Sequence, residues 1–448
     1  MRILLLFSLF SSLAWAATPD LKQAIQLKVE KYQLPNGLTV LLQEDHSVPL
    51  VTYQQWFRVG SKDEETGRTG LAHFFEHMMF KGSRGYPKEV FQHSLPSKGA
   101  DFNAFTTADY TGYHITLPPE HLKLAISLES DRMRQLLLDP NDVKSEREVV
   151  KEERRMRYDN QPEGIIHETM DALLYRNLPY RWPVIGSMED LNQASMEDLH
   201  AFYKRYYSPN NAVVVVAGDF DPVDVKKWIL DAYGKINREE LHRKTFAPEW
   251  VQNEPQEKVI KRHVESPIFS MGFLTPAANH PDTYALNLLA FVLAHGDSSR
   301  LHKKMVYEQQ IVTSVHAGCH EEMLAGRCSI FAYLKPGASS KIVEKTIDSE
   351  IQEMTKQKIT ARELEKAKNN YLMEYVNELS KLNGRAEALA LNEILFGDYR
   401  KLFTDVANVQ AVTAADVQRV AQKYFKPTRR NVVIVMPEER KAGDKNEK

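Results

Sequence analysis

The chain has 448 residues, of which 43% are hydrophobic and 26% are charged, so it is long enough to form more than one hydrophobic core. With 20 glycines and 21 prolines it has the composition neither of a disordered protein nor of a fibrous repeat. The 58 basic and 60 acidic side chains leave a net charge of −2, which argues against nucleic acid or an anionic membrane surface as the partner.

Residues 1–16 have the pattern of an export signal. Arg2 provides a positive start, an apolar run covers residues 3–13, and Ala14 and Ala16 form a small-x-small cleavage site. The alternative is an uncleaved anchor helix, but the run is shorter than the roughly 20 apolar residues that a membrane span needs. We therefore expect a periplasmic protein that is secreted through a cleaved signal peptide.

The following segment, residues 17–240, mixes strands with long helices. Alternating or apolar runs predict strands at residues 39–43, 51–59 and 110–117. Helical hydrophobic periods cover residues 71–80, 121–137 and 141–158. Either Asp139 or Asn141 could cap the last of these helices. The mixture predicts an α+β fold in which helices pack on one face of a mixed, mostly antiparallel sheet.

Two histidines and a carboxylate share one face of the first predicted helix. His73 and His77 are four residues apart, so their imidazoles project about one turn apart and could hold a single cation. Glu76 lies on the same side and could serve as a general base. Histidines of a surface or a core can match such a short motif by chance, so the neighbouring sequence has to support a metal site.

The second half of the chain repeats features of the first. Each half ends with a helix, a proline turn and an apolar strand, with Pro209 and Pro427 as counterparts. The predicted strand at residues 51–59 likewise has a counterpart at residues 268–275. Two divergent copies of one layered α/β domain are therefore predicted.

The repeat divides the chain into consecutive segments. Residues 17–240 form the predicted N-terminal domain and residues 263–438 the predicted C-terminal domain. Residues 241–262 lack a sustained hydrophobic period and contain Pro248 and Pro255, as is typical of a linker. The last ten residues, 439–448, are a polar tail.

Cys319 and Cys328 are the two cysteines of the chain, and they flank a short turn that contains Gly326. The sequences on both sides of the turn predict a hairpin with facing cysteines. In an oxidising compartment a structural disulfide is the preferred interpretation. Two free buried thiols, or a Cys/His metal site that uses His320, are the alternatives.

The segment around the two histidines, residues 70–83, resembles the metal helix of the pitrilysin/insulinase family of zinc peptidases, the inverzincins. Further matching segments follow the order of the family: residues 34–38, 103–106, 146–153, 180–186, 207–211 and 299–301. The resemblance implies homologous α/β domains of the LuxS/metallohydrolase-like type. It further implies that two or four such domains enclose peptide substrates in a clamshell, with one Zn²⁺ per chain.

A zinc ion held by two histidines needs a further protein ligand and an open position for water. The family spacing places this ligand at Glu153, whereas Glu152 would point about 100° around the helix and is a weaker candidate. Glu146, two turns earlier, would bind a ligand histidine and fix its tautomer. The resemblance also assigns Asn103 and Ala104 to a strand that binds the substrate peptide, although Asn103 could simply be a turn residue.

One part of the family pattern is missing. Single-chain relatives carry an arginine and a tyrosine in the second half that stabilise the oxyanion, and these positions fall on Val306 and Thr313 here. Arg300 is a possible substitute, but in the family it belongs to the start of a helix. The resemblance therefore predicts a heterodimer in which this chain is the zinc subunit and a second family member supplies the Arg/Tyr pair.

The predicted function is that of a zinc metalloendopeptidase in which a zinc-activated water attacks the peptide and Glu76 is the general base. A non-catalytic scaffold or peptide-binding subunit of the same family is the alternative. A structural zinc is a third possibility, but such sites usually have a fourth Cys or His ligand, and none is placed to provide it.

Overall fold

A computed structural model describes residues 27–438 of the chain. The predicted signal peptide, residues 1–16, and the predicted polar tail, residues 439–448, lie outside the described residues. Within residues 27–438, no helix has the length and the apolar character needed to cross a membrane.

Six strands of the first half form one sheet. They are β1 (Glu30–Gln33), β2 (Thr39–Glu44), β3 (Val51–Phe57), β4 (Asp101–Thr106), β5 (Thr111–Leu117) and β6 (Ala212–Gly218). Their order is β1-β2-β6-β3-β5-β4, and only β2 and β6 run parallel. The central strands β3 and β6 are buried along their whole length, and β6 has the run of valines that suits a sheet covered on both faces.

The described part of the first half, from residue 27 onward, contains seven α-helices. They are α1 (Leu71–Met78), α2 (Leu122–Gln135), α3 (Pro140–Arg154), α4 (Pro162–Leu174), α5 (Met188–Gln193), α6 (Met196–Tyr206) and α7 (Pro222–Tyr233). Of the two predicted caps for α3, Asp139 is the residue used, because its carboxylate accepts the N–H groups of Asn141 and Asp142.

The second half contains a sheet of the same design. Its strands are β7 (Gln256–Arg262), β8 (Ile268–Leu274), β9 (Val312–His320), β10 (Arg327–Leu334) and β11 (Asn431–Pro437). The order β7-β11-β8-β10-β9 corresponds to β2-β6-β3-β5-β4, and the parallel pair again lies at the same place. The predicted fold class, two homologous layered domains with mostly antiparallel sheets, is confirmed, and β1 is an addition in the first copy.

Up to residue 438, where the description ends, the second half contains six α-helices. They are α8 (Asp282–Ala294), α9 (Ser340–Lys356), α10 (Ala361–Ser380), α11 (Leu382–Phe396), α12 (Asp405–Ala411) and α13 (Ala414–Tyr424). The repeat extends to helix capping, because α6 and α13 each begin with a capping box, formed by Ser195 with Asp198 and by Thr413 with Asp416. Short 3₁₀ turns that begin at Pro209 and Pro427 then lead into β6 and β11.

The predicted linker at residues 241–262 needs a correction, because its last seven residues form β7. This strand pairs with β11 on one side only and leaves most of its charged side chains in solvent. An edge strand of this kind has no hydrophobic run, which is why the sequence pattern resembles a linker. The segment without regular structure is residues 237–255.

Each sheet is covered on one face by a helix of the other half. Helix α11 of the second half lies against β3 and β6, and helix α4 of the first half lies against β8 and β11. Polar residues that β3 directs to this interface are bonded, since Thr52 and Gln54 both donate to Asn383 of α11. The two halves therefore share a continuous core that includes Trp56 and Val215 of the first sheet.

The hairpin of β9 and β10 carries the cysteine pair. Cys319 and Cys328 lie directly opposite each other in the register of the two strands, and the structure has a disulfide bond between them. His320 is not part of the group of side chains that could hold a metal among the described residues. The hairpin is therefore cross-linked just before the turn that joins its strands.

We expect this disulfide to form in the purified protein. Thiol titration of the unfolded, unreduced chain should then find no free thiol. The Cys319→Ser/Cys328→Ser double variant should lose about 2–3 kcal/mol of unfolding free energy in urea denaturation, because the bond closes a loop of about ten residues. Wild type measured with a reductant is the control and should shift by a similar amount. Two reactive thiols in the unreduced chain would contradict the expectation.

Candidate metal centre

Helix α1 positions His73, Glu76 and His77 along one face. The opposite face carries Phe74 and Phe75, both fully buried, and Phe75 stacks on the ring of Tyr203 in α6. Because the apolar face is held in the core, the three polar side chains have to emerge together on the side of a cleft.

The start of α1 is set by a close approach of two glycines. Gly70 precedes the helix with a φ of 87°, and a Cβ atom there would lie 2.5 Å from the carbonyl oxygen of Ile185. Gly186 also has a positive φ, and a Cβ on it would lie 2.5 Å from the Cα of Gly70. The loop that ends the 180–186 segment therefore packs directly onto the start of α1, which only glycine permits.

Helix α3 packs against α1 and brings its acidic residues to the two histidines. One oxygen of Glu153 lies 3.2 Å from Nε2 of His77 and 3.7 Å from Nε2 of His73. The ligand atoms of these three residues all lie within 4.8 Å of one another. Glu152 does not join them, since its side chain is 59% exposed and pairs with Arg155.

Glu146 lies two turns before Glu153 and contacts the other nitrogen of His77. Its carboxylate is 2.9 Å from Nδ1 of His77 and also pairs with Lys81. A carboxylate beside Nδ1 favours the tautomer that carries the proton there and leaves Nε2 available as a ligand. This is the role that the family resemblance predicts for Glu146.

The electrostatics of the cluster favour a cation. Burial lowers the pKa of His73, and the neighbouring His77 lowers it further, so His73 is held as the neutral imidazole that metals bind. Burial also acts to lower the pKa of His77, but its hydrogen bonds to Glu146 and Glu153 raise it to about 9. The hydrogen bond to His77 in turn lowers the pKa of Glu153.

These donors suit a divalent metal such as zinc. Two imidazole nitrogens and one carboxylate are a common ligand set for a catalytic zinc, with a further position left for water. The side chains of His73, His77 and Glu153 are 12%, 20% and 19% exposed to solvent, so an ion could reach them from the cleft. The Nδ1 atom of His73 is buried without a hydrogen-bond partner, unlike the bonded Nδ1 of His77.

Glu76 lies beside this group and is held by a residue of β4. The hydroxyl of Thr106 donates a 2.5 Å hydrogen bond to Oε2 of Glu76. Burial raises the pKa of Glu76, and the bond from Thr106 opposes the rise. A carboxylate with a raised pKa is a better proton acceptor, as a general base requires.

Strand β4 is one of the two edge strands of the first sheet, has no further strand beside it among the described residues, and borders the cleft. Asn103 and Ala104 both line it, and the N–H of Ala104 donates to the side chain of Asn103. The cleft has a volume of about 540 Å³, and its described lining residues all lie between His73 and Ile185. The second half therefore contributes no described residue to this lining.

Three residues of the site have no role in the sequence-based prediction. Thr106 bonds the predicted base, Lys81 pairs with Glu146, and Arg157 lies 3.1 Å from Glu153 in an i,i+4 ion pair. The ion pair of Arg157 with Glu153 could have been predicted from the sequence, because the two residues have i,i+4 spacing. The contact of Thr106 with Glu76 could not, because the two residues are on different elements.

The second-half positions considered for the oxyanion lie elsewhere in the fold. Val306 packs against the shared core, and the hydroxyl of Thr313 donates to the carbonyl of Tyr333. Arg300 donates two hydrogen bonds to Glu363 of α10, at 2.7 Å and 3.2 Å. These bonds link α10 to the helical turn that contains Arg300. None of these side chains lines the cleft.

Two sequence models of one protein family match the chain. The model described as insulinase (peptidase family M16) matches residues 39–187, and that described as the peptidase M16 inactive domain matches residues 193–371. The first match contains every residue that lines the cleft. The match to the inactive domain begins only after Glu153 and extends into the second half.

Similar proteins cover nearly the full chain. The zinc protease PqqE of Helicobacter pylori is 29% identical over 429 residues, which are 92% of this chain and 93% of the relative. A protein of Bacillus subtilis, described as the uncharacterised zinc protease YmxG, is 26% identical over 400 residues, which are 89% and 96% of the two chains.

Solved structures share the same fold. The crystal structure of a protease from Helicobacter pylori has a TM-score of 0.88 at 27% identity and covers 92% of this chain and all of its own. The first half of the periplasmic protease PqqL from Escherichia coli has a TM-score of 0.75 at 20% identity, over 91% and 92% of the two chains. Together, the family models, the relatives and the fold show that this chain belongs to the insulinase family, peptidase family M16.

Proposed function

We propose that this chain is a zinc metalloendopeptidase that holds one zinc ion with His73, His77 and Glu153. The observation that carries the proposal is the convergence of these three side chains within 4.8 Å, beside Glu76 and a free sheet edge. The relatives described as zinc proteases support it, since they match this chain over nearly its full length.

The residues of the chain divide the work of hydrolysis. When bound, zinc would lower the pKa of a coordinated water and polarise a peptide carbonyl. Glu76 accepts the proton of the attacking water and passes it to the leaving amine. Thr106 orients Glu76, and Glu146 holds the ring of His77. An extended peptide adds to β4 at Asn103 and Ala104, where main-chain hydrogen bonds set its register.

A second subunit of the same family completes the site. The described lining of the cleft ends at Ile185, and Val306 and Thr313 offer neither a guanidinium nor a phenol. The partner would supply the Arg/Tyr pair from its own second half, facing the first half of this chain across a closed chamber. Loss of one oxyanion donor typically costs on the order of 100- to 1000-fold in rate, so the lone chain should be a poor catalyst.

A non-catalytic scaffold is the second candidate function. The absence of the Arg/Tyr pair and the match to the inactive-domain model favour it. The retention of His73, Glu76, His77 and Glu153 in one cleft opposes it, because a scaffold does not need all four. For either function we place the protein in the periplasm, on the basis of the predicted signal peptide at residues 1–16.

The ligand assignment predicts different effects for two adjacent glutamates. Glu153→Gln should weaken zinc binding by about 100-fold or more, because it removes a charged ligand. Glu152→Gln, a substitution of the exposed neighbour, should leave the affinity unchanged. Competition with a chromophoric chelator measures both variants. Equal affinities, or a loss in Glu152→Gln alone, would refute the assignment.

Zinc binding should tighten as the pH rises from about 6 to 8. In the metal-free protein the pKa of His77 is raised from 6.5 to about 9, so the ring keeps its proton over this range. That proton stabilises the metal-free fold fully below pH 6.5, and the stabilisation is lost as the pH rises through 9. Each bound ion therefore displaces about one proton, and the apparent dissociation constant falls about tenfold per pH unit. Chelator competition at several pH values would contradict this if the affinity did not change.

Activity should depend on a partner. We expect the purified chain to cleave a fluorogenic peptide at least about 100-fold more slowly than the same chain mixed with a family member that carries the Arg/Tyr pair. Glu76→Gln in this chain should abolish cleavage by the mixture but leave zinc content intact. Full activity of the lone chain, with no gain from the partner, would exclude the heterodimer. Bound zinc without cleavage in any pairing would favour the scaffold.

A further inference from the structure

Helix α1 cannot cap its own N-terminus, because the residue before it is a glycine without a side chain. The first N–H groups of a helix have no partner within the helix and need one from outside. Glu64, six residues before Gly70, provides it. The N–H of Gly70 donates to Oε2 of Glu64 over 2.8 Å, and the N–H of Ala72 donates to Oε1 over 2.7 Å.

Glu64 is buried, with 4% of its surface exposed, and it does not line the cleft. Both carboxylate oxygens accept a backbone N–H. Burial raises the pKa of this carboxyl, and the two hydrogen bonds oppose the rise because they stabilise the ionised form. A negative charge at this place also interacts favourably with the positive end of the helix dipole. Glu64 is therefore bound to the beginning of α1 and contacts neither the proposed metal-ligand atoms nor strand β4.

The segment between Glu64 and the helix is held at a second point. The N–H and the hydroxyl of Thr69 both donate to Asp190, at 2.9 Å and 2.5 Å. Gly70 is fixed against Gly186 by the close backbone approach described above. These contacts hold the chain up to Gly70, and the carboxylate of Glu64 extends the support to the first turn through the N–H of Ala72.

The ligand histidines depend on this helix start to different degrees. His73 directly follows Ala72 and lies in the first turn, where a helix frays most easily. His77 lies one turn later, where its ring is also held by Glu146. The side chain of His73 has no comparable support, since its Nδ1 lacks a hydrogen-bond partner. Its position therefore depends on the backbone of the first turn.

We propose that Glu64 is a positioning residue for the metal centre, whose carboxylate fixes the first turn of α1 and thereby the ligand His73. The inference rests on the proposed zinc site, but it assigns a role to a residue outside that site. A purely structural cap would contribute to the stability of the fold without changing the affinity for the metal. A positioning residue also changes the affinity for the metal and the geometry of its ligands.

The test compares Glu64→Gln with the matched control Glu65→Gln. Glutamine keeps the size of the side chain but places an NH₂ group against one backbone N–H, so one of the two bonds is lost. The side chain of Glu65 is 60% exposed and lies 3.5 Å from the ammonium group of Lys244. Both variants would be purified as full chains, and circular dichroism would establish that they fold.

Two measurements report on the metal rather than on stability. We expect Glu64→Gln to raise the zinc dissociation constant by about tenfold in chelator competition, at the low end of the loss seen when a group that orients a ligand directly is removed, because Glu64 acts through the backbone. We also expect it to alter the visible absorption of the Co²⁺-substituted protein, which depends on ligand geometry. With saturating zinc and a partner subunit, kcat should fall while KM for the peptide stays unchanged. Glu65→Gln should match the wild type in every measurement.

Glu64→Gln with wild-type zinc affinity and an unchanged Co²⁺ spectrum would overturn the inference, even if its melting temperature fell. If the variant does not fold, hydrogen exchange of the metal-free wild type decides instead. The amides of Gly70 and Ala72 should be strongly protected, and exchange as fast as in an open loop would overturn the inference. A wild type that binds no zinc overturns the proposed function as well, whereas a zinc-binding wild type with an insensitive Glu64→Gln variant overturns this inference alone.

Discussion

The ring of His77 lies between two carboxylates of one helix, and the candidate site depends on this contact. Glu146 and Glu153 are two turns apart on α3, so a single packing of α3 on α1 brings both to the same imidazole. The same packing places Glu153 beside His73. The two carboxylates raise the pKa of His77 to about 9 against the effect of burial, and their negative charge would also favour a bound cation.

The helix that carries the histidines is held on several sides. Its apolar face is buried, its N-terminus is bonded by Glu64, and Gly186 packs against Gly70. Ligands on a rigid element need little rearrangement to bind a metal, which favours affinity and a defined geometry. The neighbouring strand β4 is different, because the sheet ends there and its outer edge can pair with another chain.

The two copies of the domain have the same strand order but different roles. The first copy carries every described residue that lines the cleft, while the second contributes helix α11, which covers the far face of the first sheet. Helix α4 of the first copy covers the second sheet in return. This exchange makes each half a part of the core of the other, so the second half supports the site without contributing a side chain to the cleft.

The sequence determined the features that depend on local periodicity. The spacing of His73, Glu76 and His77 placed them on one helical face, and the repeated helix, proline and strand revealed two copies of one fold. The edge strand β7 was missed because a strand with one free edge and charged side chains has no apolar run. For α3 the sequence left two caps open, Asp139 and Asn141, and the structure uses Asp139.

Only the tertiary structure decided which side chains meet across elements. The contacts of Thr106 with Glu76 and of Glu64 with the start of α1 join a carboxylate to a different segment, so no periodic pattern marks them. The contrast between Glu152 and Glu153 follows the same reasoning. The helical period shows that the two point in different directions, but the packing of α3 on α1 decides which of them faces the histidines. Local spacing determines relative directions within one element, whereas distances between elements arise only when the hydrophobic faces of the chain are buried together.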